Sequence, residues 1–382
     1  MSSRSFIGLG MLLAATVTTS PLLADDVKLP KTVAWSAYNT GTTGYNQAVA
    51  IGKALKDAYG TSLRVIPGKN DISRLTPLRK GKVQFVANGG ATYFASEGVS
   101  LFAARNWGPQ PLRLLVSATS EANLQVGTAK DANIKTYADL KGKRVAFVVG
   151  SDALNIGMEA ALAFGGLTWK DVTVVKFPGY GASWKGMVSG QVDAAFASTV
   201  SGPTRKLEAS PRGIYWPPMP HGDKEGWARL NKVAPYVLKH KATIGSGNIS
   251  KEQPLEGAAY PYPILITLSS QDSGLVYSMT KAIHTQYPKY KDSMAALKGW
   301  AIEKQSFKWA VPYHEAAVKY WKEAGAWTDE MEAHNNALIK RQDVLAAAWA
   351  TMKDKKIADD EAYKKEWLKV RSEALTKAGM NP

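Results

Sequence analysis

Two stretches of the chain resemble each other: Gly81-Lys82-Val83-Gln84-Phe85-Val86-Ala87 and Gly190-Gln191-Val192-Asp193-Ala194-Ala195-Phe196. Each begins with a glycine that ends a predicted helix, and after one spacer residue each continues as a predicted strand that starts with valine. The pair therefore indicates that one structural unit occurs twice. Two similar α/β lobes are the simplest account of that repeat.

Both stretches end a run in which strands and helices alternate. The first run predicts strands over 32–38, 63–66 and 83–87, helices over 45–58 and 72–79, and turns over 40–44 and 88–90. The pattern restarts after a strand over 112–117. The second run predicts strands over 144–149, 172–177 and 192–197, with helices over 154–164 and 182–188. This alternation is typical of α/β winding, with turns that can hold a ligand at the strand ends.

The rest of the chain returns to the first lobe and then becomes helical. Residues 209–263 are rich in proline and aromatics, which predicts an irregular crossover. A strand follows over 264–268, and Asp272 is placed to cap the next helix. From about residue 314, three helical stretches are separated by Gly325 and Asp359-Asp360. We predict a first lobe over 25–123, a second over 124–258, a return segment over 259–330 and a helical C-terminal extension over 331–382 that packs on the first lobe.

The N-terminus has the layout of a signal peptide. Arg4 precedes an apolar run over 6–17, and the small-residue end at Ala24 is followed by Asp25-Asp26. This predicts cleavage after residue 24 and export to the periplasm. The chain contains no cysteine, so a disulfide, a cysteine metal site and a lipid-modified cysteine anchor are excluded.

The charge is strongly basic. The formal net charge of +16 favours an anionic partner, with solubility alone as the alternative. Nucleic acid is not predicted as a partner, because the lysines are scattered and no basic run is interleaved with stacking aromatics. We expect a monomer.

Sequence motifs for catalysis are incomplete. His314-Glu315 begins a zinc-protease pattern, but Val318 stands where the second histidine is needed. Residues 181–185 lack the last glycine of a nucleophile elbow, and no Walker phosphate loop is present. We therefore predict no metal, no cofactor and no enzymatic activity.

Four blocks in the same order carry a family resemblance. They are residues 40–52, 140–145 and 190–196, and the later run from Tyr313 to Gly325. Over about residues 32–325 the chain resembles the TAXI family, the substrate-binding subunits of one class of TRAP transporters. The resemblance implies a type II periplasmic-binding-protein fold, a ligand between two lobes, hinge closure, and delivery to the membrane permease subunits of an ion-coupled transporter. It also implies a small organic acid as ligand, such as an amino or dicarboxylic acid.

The turns that face the ligand depart from the family pattern. Asn88-Gly89-Gly90 and Gly150-Ser151-Asp152-Ala153 replace the usual turn sequences, so a larger or aromatic acid is a further alternative. Helix starts and hydroxyl groups at such turns can hold a carboxylate. The candidate ligand-binding residues are Thr42, Thr43, Tyr45, Arg74, Asn88, Gly90, Thr92, Ser151, Asp152, Asn155, Tyr180, Trp184, Ser198 and Thr199.

Each candidate also has a structural alternative. The turn residues could act only as helix caps or turn formers, and Asp152 argues against an anion beside it unless it caps its helix. Arg74 could grip a carboxylate through two parallel hydrogen bonds, or lie in solvent. Three alternatives to the TRAP receptor stay open: a receptor for an ATP-driven importer, a periplasmic enzyme, and an interaction protein that dimerises through its C-terminal helices.

Overall fold

The computed structural model describes residues 27–382, and the predicted signal peptide lies outside the described residues. The strands are β1 Thr32–Tyr38, β2 Ser62–Gly68, β3 Phe85–Asn88, β4 Leu112–Ser117, β5 Leu124–Ala129, β6 Arg144–Val148, β7 Thr173–Phe177, β8 Ala194–Ser198, β9 Ile214–Tyr215, β10 Leu238–Ala242, β11 Leu255–Ala259 and β12 Ile264–Leu268. The α-helices are α1 Thr43–Tyr59, α2 Asp71–Arg79, α3 Ala91–Glu97, α4 Asp152–Phe164, α5 Tyr180–Val188, α6 Gly202–Glu208, α7 Lys224–Val233, α8 Ser273–Thr285, α9 Tyr287–Tyr290, α10 Glu315–Glu323, α11 Asp329–Thr351 and α12 Asp360–Lys377.

Two five-stranded sheets have the same plan. The first has the order β2-β1-β3-β12-β4 and the second the order β7-β6-β8-β5-β9. In each sheet the first three strands are parallel and the fourth pairs antiparallel with the third. The two similar stretches supply β3 and β8, which hold the same place in their sheets. The predicted two-lobed α/β fold is confirmed.

The repeated strands begin two residues later than predicted. Val83 and Val192 are buried, but pairing with the central strand begins at Phe85 opposite Trp35 and at Ala194 opposite Val145. The shift is the same in both lobes because both glycine stops lie at the same distance from their strands.

Two short segments connect the lobes. Residues 118–123 lead from β4 to β5, and residues 260–263 lead from β11 to β12. The strand predicted over 264–268 is confirmed as a buried run that pairs with β3 and β4. Asp272 caps α8, since its carboxylate accepts a hydrogen bond from the backbone N–H of Leu275 at 2.7 Å.

The prediction of an irregular segment over 209–263 was wrong. This part of the chain contains β9, the helix α7 and a hairpin of β10 and β11. The hairpin strand β10, with the sequence Leu-Lys-His-Lys-Ala, is mostly exposed, so it has no apolar pattern that would identify it.

The predicted helical C-terminal extension is present as α11 and α12, and it packs on the first lobe. The extension has its own apolar cluster, in which Leu345 and Trp367 pack with Ala103 of the first lobe. Buried Glu97, at the end of α3, pairs with Arg341 and Arg371 of the extension. Among residues 27–382 no helix is long and apolar enough to span a membrane.

Candidate functional site

A small cavity lies between the two lobes, with an accessible volume of about 30 Å³, which is room for one or two water molecules in this arrangement. The parallel strands of both sheets point their carboxyl ends at it, as expected for ligand sites in α/β proteins. Tyr38 ends β1, and Ser198 ends β8; both line the cavity. The other lining residues are Thr42, Thr43, Arg74, Gly89, Gly90, Leu124, Ala153, Leu154, Tyr180, Phe196, Ala197, Ser201, Tyr260 and Tyr262.

The first lobe brings unpaired hydroxyl groups to this cavity. Thr42 and Thr43 are 2% and 3% exposed, and neither hydroxyl has a hydrogen-bond partner among the described residues. Thr42 precedes α1 with an extended backbone, yet its side chain makes no cap hydrogen bond. A buried polar group without a partner costs about 1–3 kcal/mol. The two hydroxyls are therefore free to bind a ligand group.

Two further residues that were predicted to bind ligand lie next in the sequence to residues that line the cavity. Asn88 at the end of β3 and Thr92 in α3 are fully buried. The Asn88 side-chain amide and the Thr92 hydroxyl also lack a partner within residues 27–382. Gly90, which precedes α3, lines the cavity. The predicted first-lobe turns thus come together at one place, with Tyr45 as the exception: it is half-buried at the start of α1 and does not line the cavity.

Arg74 lines the cavity, but its charge is neutralised by Asp71. Its Nη2 donates to Asp71 Oδ1 at 2.6 Å and its Nη1 donates to the Ala87 carbonyl at 3.1 Å. The guanidinium also lies 3.5 Å from the centre of the Tyr38 ring. Only Nε has no partner in the described chain. In this arrangement Arg74 therefore cannot form the two predicted parallel hydrogen bonds with a carboxylate.

Asp71 also joins the lobes. Its Oδ2 accepts a hydrogen bond from the backbone N–H of Ala153 at 2.9 Å, and its Oδ1 accepts one from the Tyr38 hydroxyl at 2.6 Å. Burial raises the pKa of Tyr38 well above its ordinary value, so the phenol keeps the proton that it donates. Ser151 of the second lobe lies 2.9 Å from the same phenol oxygen. Because the phenol proton points to Asp71, the Ser151 hydroxyl is the donor in that contact.

More hydrogen bonds join the two lobes around the cavity. Asn39 accepts one from the N–H of Gly181 at 3.2 Å, and the Lys69 carbonyl accepts one from the N–H of Tyr180 at 3.0 Å. The amide of Asn70 donates to the Val149 carbonyl at 3.0 Å. Tyr180 lines the cavity and stacks on Tyr38, with ring centres 5.4 Å apart. The structure is therefore a closed arrangement of the lobes.

Asp152 makes a contact between the lobes and does not line the cavity. Its Oδ2 accepts a hydrogen bond from the N–H of Leu101 in the first lobe at 2.8 Å. Burial raises the pKa of this carboxyl to about 7; nearby Asp71 acts in the same direction, while the Leu101 N–H and Lys364 act against it.

Three other predicted residues use their polar groups inside the second lobe. The Asn155 amide makes two hydrogen bonds to the backbone of Val148, and the Trp184 indole donates to the Phe196 carbonyl. The Thr199 hydroxyl bonds to the backbone of Asn123 and Ile244. None of the three lines the cavity. A ligand contact for these residues stays a prediction without support from the geometry.

Several cavity residues were not predicted from the sequence. Tyr260 and Tyr262 come from the connecting segment, Phe196 comes from the middle of β8, and Tyr38, Leu154 and Ser201 come from a strand end and helix starts. The signal for the first pair was the repeated Tyr-Pro of residues 260–263, which was interpreted only as a crossover. Within residues 27–382, no cluster of three or more histidines and acids is placed to hold a metal ion.

Comparison with known proteins gives one family match. A model of the NMT1-like family matches residues 37–325, more than half of the chain. Similar solved structures include an arginine-bound amino acid ABC transporter substrate-binding protein, AbpA, from Streptococcus pneumoniae (14% identity, 72% of this chain and 94% of that chain, TM-score 0.42). Another is the periplasmic aliphatic sulphonate binding protein SsuA from Escherichia coli (13% identity, 82% and 86% covered, TM-score 0.41). At these TM-scores no ligand or transporter class follows for this chain.

Proposed function

The chain belongs to the NMT1-like family, and from the cavity between its lobes we propose that it is a periplasmic solute receptor that captures a small organic acid by lobe closure. The observation that carries the proposal is the pair of buried, unpaired hydroxyls of Thr42 and Thr43 on the cavity wall. These groups need a partner from outside the chain, because no described residue supplies one.

The wall at Thr42 and Thr43 suits a carboxylate head. Both residues stand at the start of the 17-residue helix α1, where unpaired N–H groups and the helix dipole favour negative charge. The two hydroxyls can donate to the same oxygens. Arg74 adds only a neutralised charge, so uncharged donors would hold the head group.

The site geometry does not favour an enzyme. Asp71 is an acidic group beside the cavity, and its carboxylate accepts hydrogen bonds from Arg74, Tyr38 and Ala153. A carboxylate with all of these donors is poorly placed to act as a general base. We therefore propose binding without turnover.

The second half of the proposal is delivery to a membrane importer. The NMT1-like match leaves the TAXI resemblance unconfirmed, and a receptor for an ATP-driven importer fits that match at least as well as a TRAP receptor. We propose export through the predicted leader over 1–24 and lobes bounded as predicted above. Uptake of the identified ligand in vesicles with the co-encoded permease, with ATP or with an ion gradient as the only energy source, decides between the two classes.

Thermal unfolding tests the binding step. The mature protein is unfolded and refolded to remove any bound compound, and is then melted with carboxylic acids, amino acids and aromatic acids. A ligand that prefers the folded state raises the melting temperature by mass action. A shift with one class of acid, and recovery of that compound unchanged, supports the proposal; no shift with any acid contradicts it.

A further inference from the structure

A surface groove crosses the boundary between the lobes. Its accessible volume is about 580 Å³, against about 30 Å³ for the cavity between the lobes. The first lobe contributes Asn39, Thr40 and Pro67 to the groove, and the second lobe contributes residues of α5 and α6. Because the cavity has room for only one or two water molecules in this arrangement, a solute has to enter it while the lobes are apart.

The groove and the cavity are separated by contacts between the lobes. Asn39 and Gly181 line the groove, and their chain neighbours Tyr38 and Tyr180 line the cavity. The separating contacts include the stack of the two tyrosine rings, 5.4 Å apart, and the hydrogen bond from the N–H of Gly181 to Asn39 at 3.2 Å. Each of these contacts joins one lobe to the other. Lobe opening therefore breaks them and makes the groove and the cavity one space.

The groove lies on the side where the lobes separate. The two connecting segments join β4 to β5 and β11 to β12. Pro67 of the groove belongs to β2, which is the edge strand at the opposite end of the first sheet from β4. Rotation of the lobes about the connecting segments opens the gap most at this edge. The groove is therefore at the entrance to the cavity.

Two lysines of the second lobe give this entrance a positive charge. Lys185 of α5 and Lys206 of α6 line the groove and are exposed, and within residues 27–382 neither ammonium group has an ion pair or a hydrogen bond. No described acidic residue lines the groove. Glu208, also on α6, already accepts hydrogen bonds from Arg205 and from the N–H of Gly247. Because α5 and α6 pack together, both lysines stay at the entrance when the lobes separate.

We infer that Lys185 and Lys206 attract an anionic solute to the open cleft and speed its capture. Positive charge beside a cleft raises the local concentration of an anion and its association rate, and salt screens this effect. Neither lysine lines the cavity, so the rate of solute release does not depend on them. This inference rests on the proposed function and adds to it a reason why acids are captured faster than neutral solutes.

Stopped-flow tryptophan fluorescence tests the role of the two lysines. The refolded mature protein and the double variant Lys185→Gln/Lys206→Gln are mixed with glutarate, glutamate and phenylacetate, one acid from each proposed class, at about 20 mM and about 500 mM sodium chloride. At low salt the variant is expected to associate about three- to tenfold more slowly with the acid that binds. At high salt the difference is expected to fall below about twofold, and the dissociation rate is expected to be unchanged at both.

Lys141→Gln/Lys224→Gln is the matched control, because it removes the same charge from the far end of the second lobe. Lys141 precedes β6, whose other end points at the cavity, and Lys224 begins α7, where Trp227 packs on Phe164 at the end of α4. Equal association rates for the two double variants would overturn the inference alone. A loss that is the same at both salt concentrations, or a faster dissociation, would overturn it in favour of direct contact with the solute. No binding of any of the three acids would overturn the proposed function as well, and a melting curve for each variant verifies that it folds.

Discussion

Asp71 of the first lobe accepts a hydrogen bond from the backbone N–H of Ala153 in the second lobe, at 2.9 Å. The same carboxylate neutralises Arg74 and accepts the Tyr38 hydroxyl proton. Closure therefore completes the hydrogen bonding of a buried ion pair. When the lobes separate, Asp71 loses the Ala153 N–H and Tyr38 loses the Ser151 hydroxyl.

Tyr38→Phe is expected to weaken ligand binding about five- to tenfold, because a hydrogen bond that exists only in the closed form is worth about 1 kcal/mol. Calorimetry measures the affinity. Tyr137→Phe is the control, since the Tyr137 hydroxyl is also buried but bonds to Val126 within its own lobe. It is expected to lower stability by a similar amount and leave affinity unchanged; equal effects of the two variants on affinity would contradict the role of Tyr38 in closure.

Thr43→Val is expected to raise the melting temperature of the ligand-free protein and lower ligand affinity about tenfold or more. The substitution removes a buried hydroxyl that has no partner in the described chain, which stabilises the protein by about 1 kcal/mol, and it removes a donor to the ligand. Thr199→Val is the matched control, because the Thr199 hydroxyl donates a hydrogen bond to the Ile244 carbonyl and accepts one from the Asn123 N–H. That variant should melt at a lower temperature and bind normally. A destabilised Thr43→Val with normal affinity would show that the hydroxyl is structural.

Asp152 predicts a pH dependence of stability. Its folded-state pKa of about 7 lies above the ordinary value of 3.8, so the folded protein binds more protons than the unfolded chain between these values. Stability from this group is highest below about pH 4, falls as the pH rises, and is lowest above pH 7; the total change is on the order of a few kcal/mol.

Asp152→Asn separates the contribution of Asp152 to the pH dependence of stability from that of the histidines. The asparagine can still accept the Leu101 hydrogen bond but does not ionise. We expect the variant to be more stable than the unmodified protein at pH 8, with a smaller difference at pH 5, in denaturant titrations. Burial lowers the pKa of His240 and His284, but these residues are present in both proteins and cancel in the difference. A difference that does not change with pH would contradict the assignment.

Arg371→Met is expected to cost about 3 kcal/mol of stability. Burial opposes the ionisation of Glu97, but hydrogen bonds and the charges of Arg341 and Arg371 outweigh it and hold the pKa of Glu97 below its ordinary value. Removal of one partner leaves a buried charge undercompensated. Arg205→Met breaks the more exposed pair with Glu208 and is expected to cost less than about 1 kcal/mol. Denaturant unfolding compares the two, and similar losses would mean that the extension is not held by this ion pair.

The sequence predicted the sheets well where strands are mainly apolar runs that follow a proline, as at 264–268 and 112–117. It did not identify β5, because Gln125 and Thr128 interrupt the apolar pattern of that strand. Both are buried and find backbone partners in Pro217 and Tyr215, about 90 residues away. Such partners are visible only when the chain is folded.

The site was predictable where it consists of turns at strand ends. Thr42, Thr43, Gly90 and Ser198 were proposed from these turns, and all line the cavity. The pairing of Asp71 with Arg74 was not predicted, since a spacing of three residues in a helix does not tell whether a pair is buried. Tyr260 and Tyr262 were missed because they enter the cavity from a connection between the lobes.

Gly202→Ala is expected to hold the lobes apart. A Cβ at this first residue of α6 would stand 2.4 Å from the Gly41 carbonyl oxygen of the first lobe, so closure to the observed distance is blocked, although neither glycine lines the cavity. Ligand affinity should fall more than tenfold, and small-angle scattering should show no contraction when ligand is added. Gly222→Ala is the control, because a Cβ there meets no atom within 4 Å. Each lobe keeps its own core, so the melting temperature of the ligand-free variant should change little. Normal affinity in Gly202→Ala would mean that the solute binds without closure, and the receptor mechanism would then be wrong even if the ligand class is right.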